Sequence, residues 1–236
     1  MQDTLYPLLA VVAAYLVGSL SFAVIISRLM GLSDPRSYGS GNPGATNVLR
    51  SGNKAAAVLT LVLDALKGYL PVLAVLLWGD KLELGEGTAA LVGLAAFIGH
   101  LWPVFFRFEG GKGVATAAGV LLALNPVLAA ATLLTWAIVV YFTRFVSLAS
   151  MVAAALAPIY QMLIWETGPA AGCAALMALL LVWRHEANIR KLLAGTESKL
   201  GQKAPAPAEG TSKKHPHGMG GKPHGHSHHH PKKKDR

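Results

Sequence analysis

The sequence of 236 residues contains little charge and almost no cysteine. Charged residues make up only 14% of the chain, against roughly one quarter in soluble domains, while 53% are hydrophobic and the mean hydropathy is +0.45. This composition excludes an ordinary soluble protein and indicates a membrane protein. Because Cys173 is the only cysteine, an intrachain disulfide, a cysteine-based zinc site and an iron–sulfur cluster are also excluded.

The formal net charge of +9 comes mainly from one end of the chain. Residues 199–236 contain nine basic and two acidic residues, whereas residues 1–198 contain twelve basic and ten acidic residues. The basic excess therefore describes a tail and argues against a nucleic-acid-binding domain. We assign residues 1–198 to a transmembrane domain and residues 199–236 to a cytoplasmic tail.

The tail has too few large apolar residues to form a core, so it is predicted to be disordered. Seven of the nine histidines lie in it, together with Lys232, Lys233 and Lys234. One interpretation is a loose site for divalent metals. We favour a solvated tail that is partly attracted to anionic lipid.

Seven hydrophobic runs predict an all-α integral membrane protein with about seven transmembrane helices. The runs cover residues 5–29, 55–78, 88–106, 114–124, 127–142, 146–165 and 169–183. They lack the period-2 alternation of a transmembrane barrel. The first run is longer than the core of a signal peptide and has no basic residue before it, so it is predicted to remain as a helix. Asn125 and Pro126 separate two short runs and predict a short helical hairpin in the middle.

The distribution of basic residues in short loops predicts the orientation. With the N-terminus outside and the C-terminus in the cytoplasm, the outer loops contain only Lys81 among basic residues. The inner side then receives Arg28, Arg36, Arg50, Lys54, Arg107, Lys112, Arg144, Arg184, Arg190 and Lys191.

The first inner loop, residues 38–50, combines glycines, neutral polar groups and one arginine. Glycines let a backbone approach a ligand, the polar side chains offer hydrogen bonds, and guanidinium suits phosphate or carboxylate. The glycine spacing also matches a dinucleotide pattern, but no βαβ unit surrounds it, so a nucleotide fold is rejected. An ordinary capped membrane loop is the competing interpretation. The candidate binding residues are Ser40, Asn42, Gly44, Thr46, Asn47 and Arg50.

The second inner loop precedes a predicted helix and carries several glycines beside a lysine. Backbone N–H groups at a helix N-terminus, together with the Lys112 ammonium, suit a phosphate monoester. The spacing is not that of a Walker A loop, so ATP hydrolysis is not implied. A lysine that only marks the membrane interface is the alternative. The candidate residues are Gly110, Gly111, Lys112, Gly113 and Thr116.

The third group of polar residues follows the last hydrophobic run. If the helix continues, His185 and Asn188 lie on one face, where histidine can take a proton from a hydroxyl and asparagine can donate to a developing oxyanion.

Within the second run, Asp64 and Lys67 lie three residues apart and are interpreted as an internal ion pair. His100 is open to two interpretations, a base or a packed, hydrogen-bonded side chain. Trp102 and the nearby phenylalanines fit an interfacial belt as well as an acyl-chain groove.

Three ordered motifs, residues 40–50, 110–116 and 185–197, resemble those of the bacterial acyl-phosphate:glycerol-3-phosphate acyltransferase family. The resemblance covers about residues 5–198, includes Asp64 and Lys67, and leaves the tail unexplained. Lys191 stands where the family more commonly has arginine. The resemblance implies a multi-pass enzyme of the bacterial inner membrane, with its active site on the cytoplasmic face. It implies transfer of an acyl group from acyl phosphate to the sn-1 hydroxyl of glycerol 3-phosphate, without a metal or cofactor.

The resemblance also assigns roles to individual residues. The loop around Lys112 would hold phosphate, Ser40, Arg50, His185 and Asn188 would serve binding and catalysis, and Glu197 would be structural. Two mechanisms are open: direct transfer, which we favour, or transient acylation of Ser40 with His185 as its base. A transporter or flippase of a phosphate ester is the alternative function, but no internal repeat is visible and the motifs gather on one face.

Overall fold

The computed structural model describes residues 2–165 and 167–201, and these residues form helices and loops without a strand. The predicted all-helical class is confirmed. The chain beyond residue 201, which carries the histidines of the tail, lies outside the described residues, so its predicted disorder stays a prediction. The helices are α1 (Gln2–Gly18), α2 (Phe22–Leu29), α3 (Ala45–Leu49), α4 (Lys54–Trp78), α5 (Glu86–Leu101), α6 (Val114–Leu124), α7 (Pro126–Thr143), α8 (Val146–Trp165), α9 (Pro169–Arg184) and α10 (Glu186–Leu193).

The described residues contain four helical segments that are long and apolar enough to cross a membrane, or six if two bent pairs each form one span. The bent pairs are α1 with α2 and α9 with α10. The remaining predicted segment, the fourth run, is α6, which has 11 residues and a length of about 16 Å, roughly half of a hydrocarbon core. The predicted seven segments are thus six candidate spans and one short helix, and the predicted orientation stays a prediction.

The first run, which was predicted to form one helix, is broken and bends by 43° between α1 and α2. A second bend, of 57°, lies just after the last run, between α9 and α10. The first break lies at Ser19, Leu20 and Ser21, where Val24 N donates to Ser21 O instead of Leu20 O. The predicted turn at Asn125 is confirmed, because its side chain caps α7 by accepting from Val127 N and Leu128 N at 3.1 Å.

The core lies around α5 and α6. Ten of the 16 residues of α5 are buried, whereas Leu128 is the one buried residue of α7. The helix α5 is therefore central and α7 peripheral. The short α6 packs closely on α4 because Gly68 lies against the Thr116 carbonyl and Gly119 against the Ala65 carbonyl. A side chain at either glycine would overlap the facing backbone, and small residues of this kind allow close helix contact within membranes.

A buried ion pair supports the break in the first span. Lys67 Nζ lies 2.8 Å from Asp64 Oδ1, as interpreted from the sequence, and both side chains are almost fully buried. The same ammonium donates to Leu20 O at 2.7 Å, which is a carbonyl that the break leaves without a helical partner. His100 Nδ1 lies 3.6 Å from the same carboxylate oxygen.

We expect Lys67→Met to lower the free energy of unfolding by about 3–5 kcal/mol, because it leaves Asp64 and Leu20 O buried without the ammonium. The double variant Asp64→Asn/Lys67→Met removes the unpaired charge as well and should unfold at a higher temperature than Lys67→Met alone. Thermal unfolding in one detergent compares the two proteins. Equal midpoints would contradict a structural role for the pair.

Candidate active site

The loop between α2 and α4 is shaped by the buried side chain of Asn47. Its Nδ2 donates to Pro35 O at 2.6 Å and to Tyr38 O at 3.1 Å, while its Oδ1 accepts from Ser40 N at 3.1 Å. Gly39 has φ +60°, and a Cβ there would overlap Asn47 Oδ1. Asn47 therefore holds the loop in its curved shape, and its predicted contact with substrate stays a prediction.

The remaining candidate residues of this loop differ in exposure. Ser40 and Thr46 are exposed, whereas Asn42 and Gly44 are half-buried. The Ser40 hydroxyl accepts from Asn42 N at 3.4 Å. The hydroxyls of Ser40 and Thr46 are thus the groups of the loop that are most open to a ligand.

Arg50 connects the first loop to the end of the described chain. Its guanidinium donates to Ser198 Oγ at 2.8 Å and lies 3.4 Å from Asn47 Oδ1. A second contact lies just before the first loop and just before the glycine loop, because Arg36 pairs with Glu109 at 3.4 Å and with Asp34 at 2.7 Å. The first motif and the residues before it therefore contact residues that flank both other motifs.

The glycine loop, residues 110–113, is held by an arginine that sequence reasoning treated only as an orientation signal. Arg184 donates to Gly110 O at 2.8 Å and to Gly111 O at 3.2 Å. Gly113 has φ +81° and precedes α6, whose first turn has no side-chain cap. Unpaired N–H groups at a helix N-terminus favour an anion, so this end of α6 suits phosphate.

The third motif lies at the bend between α9 and α10. His185 is buried, and its Nδ1 lies 2.8 Å from Leu181 O. A carbonyl oxygen can only accept, so Nδ1 carries the proton and Nε2 of the neutral ring keeps a lone pair. The helix does not continue unbroken through His185 and Asn188, because the chain turns at His185. The two residues stay adjacent nevertheless, since Asn188 N donates to His185 O at 2.8 Å.

Asn188 and Glu197 join the second and third motifs. Lys112 Nζ donates to Asn188 Oδ1, and Asn188 Nδ2 donates to Glu197 Oε1 at 2.7 Å. Ser147, at the start of α8, donates to the same carboxylate oxygen at 2.6 Å. The role of Ser147 and Ser198 was missed, because no motif marks a lone serine that binds a residue far along the chain.

Electrostatics confirm that these groups share one region. Burial lowers the pKa of Lys112 to about 8; the charge on Glu197 opposes this shift, and those on Lys191, Arg184 and Arg50 reinforce it. Three other cations and one carboxylate thus act on the Lys112 ammonium. Such an excess of positive charge suits a ligand that carries phosphate.

Thr116 does not join this cluster. It is fully buried, and its hydroxyl donates to Asp64 O at 2.9 Å, so its predicted contact with phosphate stays a prediction.

Within residues 2–165 and 167–201, no group of three or more His, Cys, Asp or Glu side chains is arranged to hold a metal ion. The histidine-rich metal site considered for the tail lies outside the described residues.

The comparisons with known proteins agree on one family. A family model described as glycerol-3-phosphate acyltransferase matches residues 8–195. The glycerol-3-phosphate acyltransferase of Paraburkholderia phytofirmans is 60% identical over 201 residues, which cover 85% of this chain and 94% of that protein. A Burkholderia pseudomallei relative of the same name is 62% identical over 198 residues, which cover 83% of this chain and 96% of the relative.

Two solved structures share the fold. The crystal structure of PlsY (YgiH), an integral membrane glycerol 3-phosphate acyltransferase, in its glycerol 3-phosphate form has a TM-score of 0.77 and 41% identity, and the match covers 83% of this chain and 96% of that one. Its lysophosphatidic acid form has a TM-score of 0.75 and 40% identity with the same coverage.

The electrostatic coupling between Lys112 and Glu197 can be tested chemically. Glu197→Gln removes a negative charge that stabilises the ammonium, so the pKa of Lys112 should fall below its value of about 8. Mass spectrometry after brief treatment with an amine-acylating reagent at several pH values measures the neutral fraction of Lys112. We expect its reactivity in Glu197→Gln to appear at lower pH than in the wild type.

A matched control is Glu186→Gln, which removes an exposed carboxylate paired with Arg190 at 3.0 Å. This variant should leave the pH dependence of Lys112 unchanged. Identical profiles for Glu197→Gln and the wild type would contradict the coupling.

Proposed function

The chain belongs to the glycerol-3-phosphate acyltransferase family, and from this premise we propose that its acyl donor is acyl phosphate and its acceptor is the sn-1 hydroxyl of glycerol 3-phosphate. The products are then 1-acyl-glycerol 3-phosphate (lysophosphatidate) and inorganic phosphate, in the first acylation step of phospholipid biosynthesis. The observation that carries the proposal is that Arg50, Arg184 and Lys191 lie close enough to Lys112 for their charges to act on its ammonium, which is linked to Glu197 through Asn188. Two substrates that each carry phosphate need such a surplus of cationic groups.

Of two proposed phosphate sites, one at the glycine loop and one at Arg50, the glycine loop with Lys112 is the better. Lys112 lies two residues before the uncapped first turn of α6, so a phosphate group bound there can receive both a full charge and backbone N–H groups. Arg50 offers a planar fork on the other side, and its present partner, Ser198, is a neutral group that a phosphate can replace. The solved relative in its glycerol 3-phosphate and lysophosphatidic acid forms supports an acceptor and a product of this chemistry.

In the proposed reaction, the sn-1 oxygen attacks the acyl carbonyl carbon and forms the ester bond. The bond between that carbon and the phosphate oxygen breaks, and inorganic phosphate leaves with the electron pair. The hydroxyl proton passes to His185 Nε2 or to a phosphate oxygen of a substrate. Asn188 and Lys112, which bond to each other at the site, offer donors for the negative charge that develops. Because acyl phosphate is a mixed anhydride with a good leaving group, the proposal includes no cofactor, and the main task of the protein is to position the reactants.

The proposed location of the site is the cytoplasmic face of the bacterial inner membrane. The protein is an integral membrane protein, and the cationic cluster lies at helix ends and in loops, outside the apolar interiors of its spans. An acyl chain can then remain in the hydrocarbon while its phosphate reaches Lys112. Membrane lipids and the two substrates are the proposed partners.

Purified protein in detergent should release inorganic phosphate from palmitoyl phosphate only when glycerol 3-phosphate is present. Lys112→Ala should lower kcat/KM by about 100- to 1000-fold, because it removes a charged donor at the reacting phosphate. Lys54→Ala, which removes an exposed lysine at the start of α4, serves as the control and should retain activity.

Release that does not depend on the acceptor would contradict acyl transfer. In that case, uptake of unconverted glycerol 3-phosphate into sealed vesicles would favour the transporter instead.

Direct transfer should leave no acyl group on the protein. Ser40 is exposed, and the hydrogen bonds of the described residues include none between Ser40 and His185, the base that the two-step route would require. Rapid quenching with labelled palmitoyl phosphate, without acceptor so that an intermediate would accumulate, should yield unlabelled protein. An acyl-Ser40 species that forms as fast as turnover, and that decays when glycerol 3-phosphate is added, would contradict direct transfer.

A further inference from the structure

His100 lies near the end of α5 and is almost fully buried between the ion pair of α4 and the glycine loop. The sequence is compatible with two interpretations of His100, a base or a packed side chain. The reaction described above does not use it. Its contacts on the two sides of the ring point to a more specific role.

On one side, the ring is fixed by hydroxyl and carboxylate groups. Thr116 Oγ1 lies 3.2 Å from His100 Nδ1 and 2.9 Å from Asp64 O. The hydroxyl has one proton and gives it to the carbonyl, so it accepts from His100, whose Nδ1 therefore carries a proton. Asp64 Oδ1, at 3.6 Å from the same nitrogen, favours this tautomer.

On the other side, the residue lies directly against the glycine loop. Gly111 N donates to His100 O at 3.1 Å. A Cβ built at Gly111 would overlap His100 Nε2, and one built at Gly110 would overlap His100 O. The loop can adopt its path only because it has glycines where it crosses His100, and the ring limits how far that path can shift.

We propose that His100 is a positioning residue that holds the glycine loop, and with it Lys112, in the geometry that binds a phosphate group. Thr116 and Asp64 fix the ring orientation, and the ring and the backbone of His100 fix Gly111, which directly precedes Lys112. This inference rests on the proposed role of the glycine loop in phosphate binding. It gives Thr116 a function through His100, without direct contact with substrate.

The test compares phosphate affinity in folded variants of the full chain in detergent. His100→Phe keeps a ring of similar size but has no nitrogen to bond Thr116. We expect it to bind inorganic phosphate about tenfold more weakly in isothermal titration, because small displacements of binding groups are costly. KM for palmitoyl phosphate should rise by a similar factor, while kcat at saturation should change much less.

Two further variants separate positioning from general stability. His100→Asn restores an N–H near the position of Nδ1 and should recover part of the lost affinity. Gln161→Ala, in the buried part of α8, is the stability control: it should lower the unfolding temperature and leave phosphate affinity unchanged.

If His100→Phe fails to fold, phosphate affinity is measured in Thr116→Val instead, because this variant keeps the side-chain shape and removes only the hydroxyl. Weaker phosphate binding in Thr116→Val would support the proposal. Affinity equal to that of the wild type in either folded variant would overturn it. A wild type that binds phosphate but makes no lysophosphatidate would instead overturn the proposed function, and the effect of His100 on phosphate binding could still be measured.

Discussion

The cations that lie around Lys112 repel its ammonium, and Glu197 is the group that offsets this repulsion. Its carboxylate accepts from Asn188 and Ser147, and its charge raises the pKa of Lys112 against the effects of burial, Arg50, Arg184 and Lys191. The same carboxylate therefore joins the start of α8 to the third motif and, through Asn188, to Lys112. In the proposed function, a phosphate that enters the site takes over part of this electrostatic role, which makes binding sensitive to the position of each cation.

A second constraint operates within the bundle. The short α6 has 11 residues, too few to cross the whole membrane, and its first turn is the proposed phosphate site. Its close contact with α4 requires Gly68 and Gly119, and the neighbouring ion pair of Asp64 and Lys67 supports the broken first span. His100 connects this buried cluster to the glycine loop, so packing in the interior and geometry at the surface are coupled.

Much of this architecture could be predicted from the sequence. Long apolar runs indicate spans, Asn125 and Pro126 indicate a turn, and polar residues concentrated in three loops indicate a site. The break at Ser19–Ser21 was missed because no proline and no charge interrupts that run; its support comes from Lys67, 47 residues away. Asn47 and Thr116 resemble ligand-binding residues in sequence, but their polar groups bond to the backbone of the protein. Whether a polar side chain faces inward or outward depends on tertiary contacts that local patterns do not encode.

The central claim is that this cationic cluster directs acyl transfer between two phosphate-bearing substrates. Its most direct test is an isotope-labelling experiment, in which protein in detergent is given palmitoyl phosphate and glycerol 3-phosphate that carries ¹⁸O in its sn-1 hydroxyl. Mass spectrometry should find the label in the ester linkage of lysophosphatidate, with one unlabelled inorganic phosphate formed for each product. Free palmitate with unchanged glycerol 3-phosphate would contradict the claim.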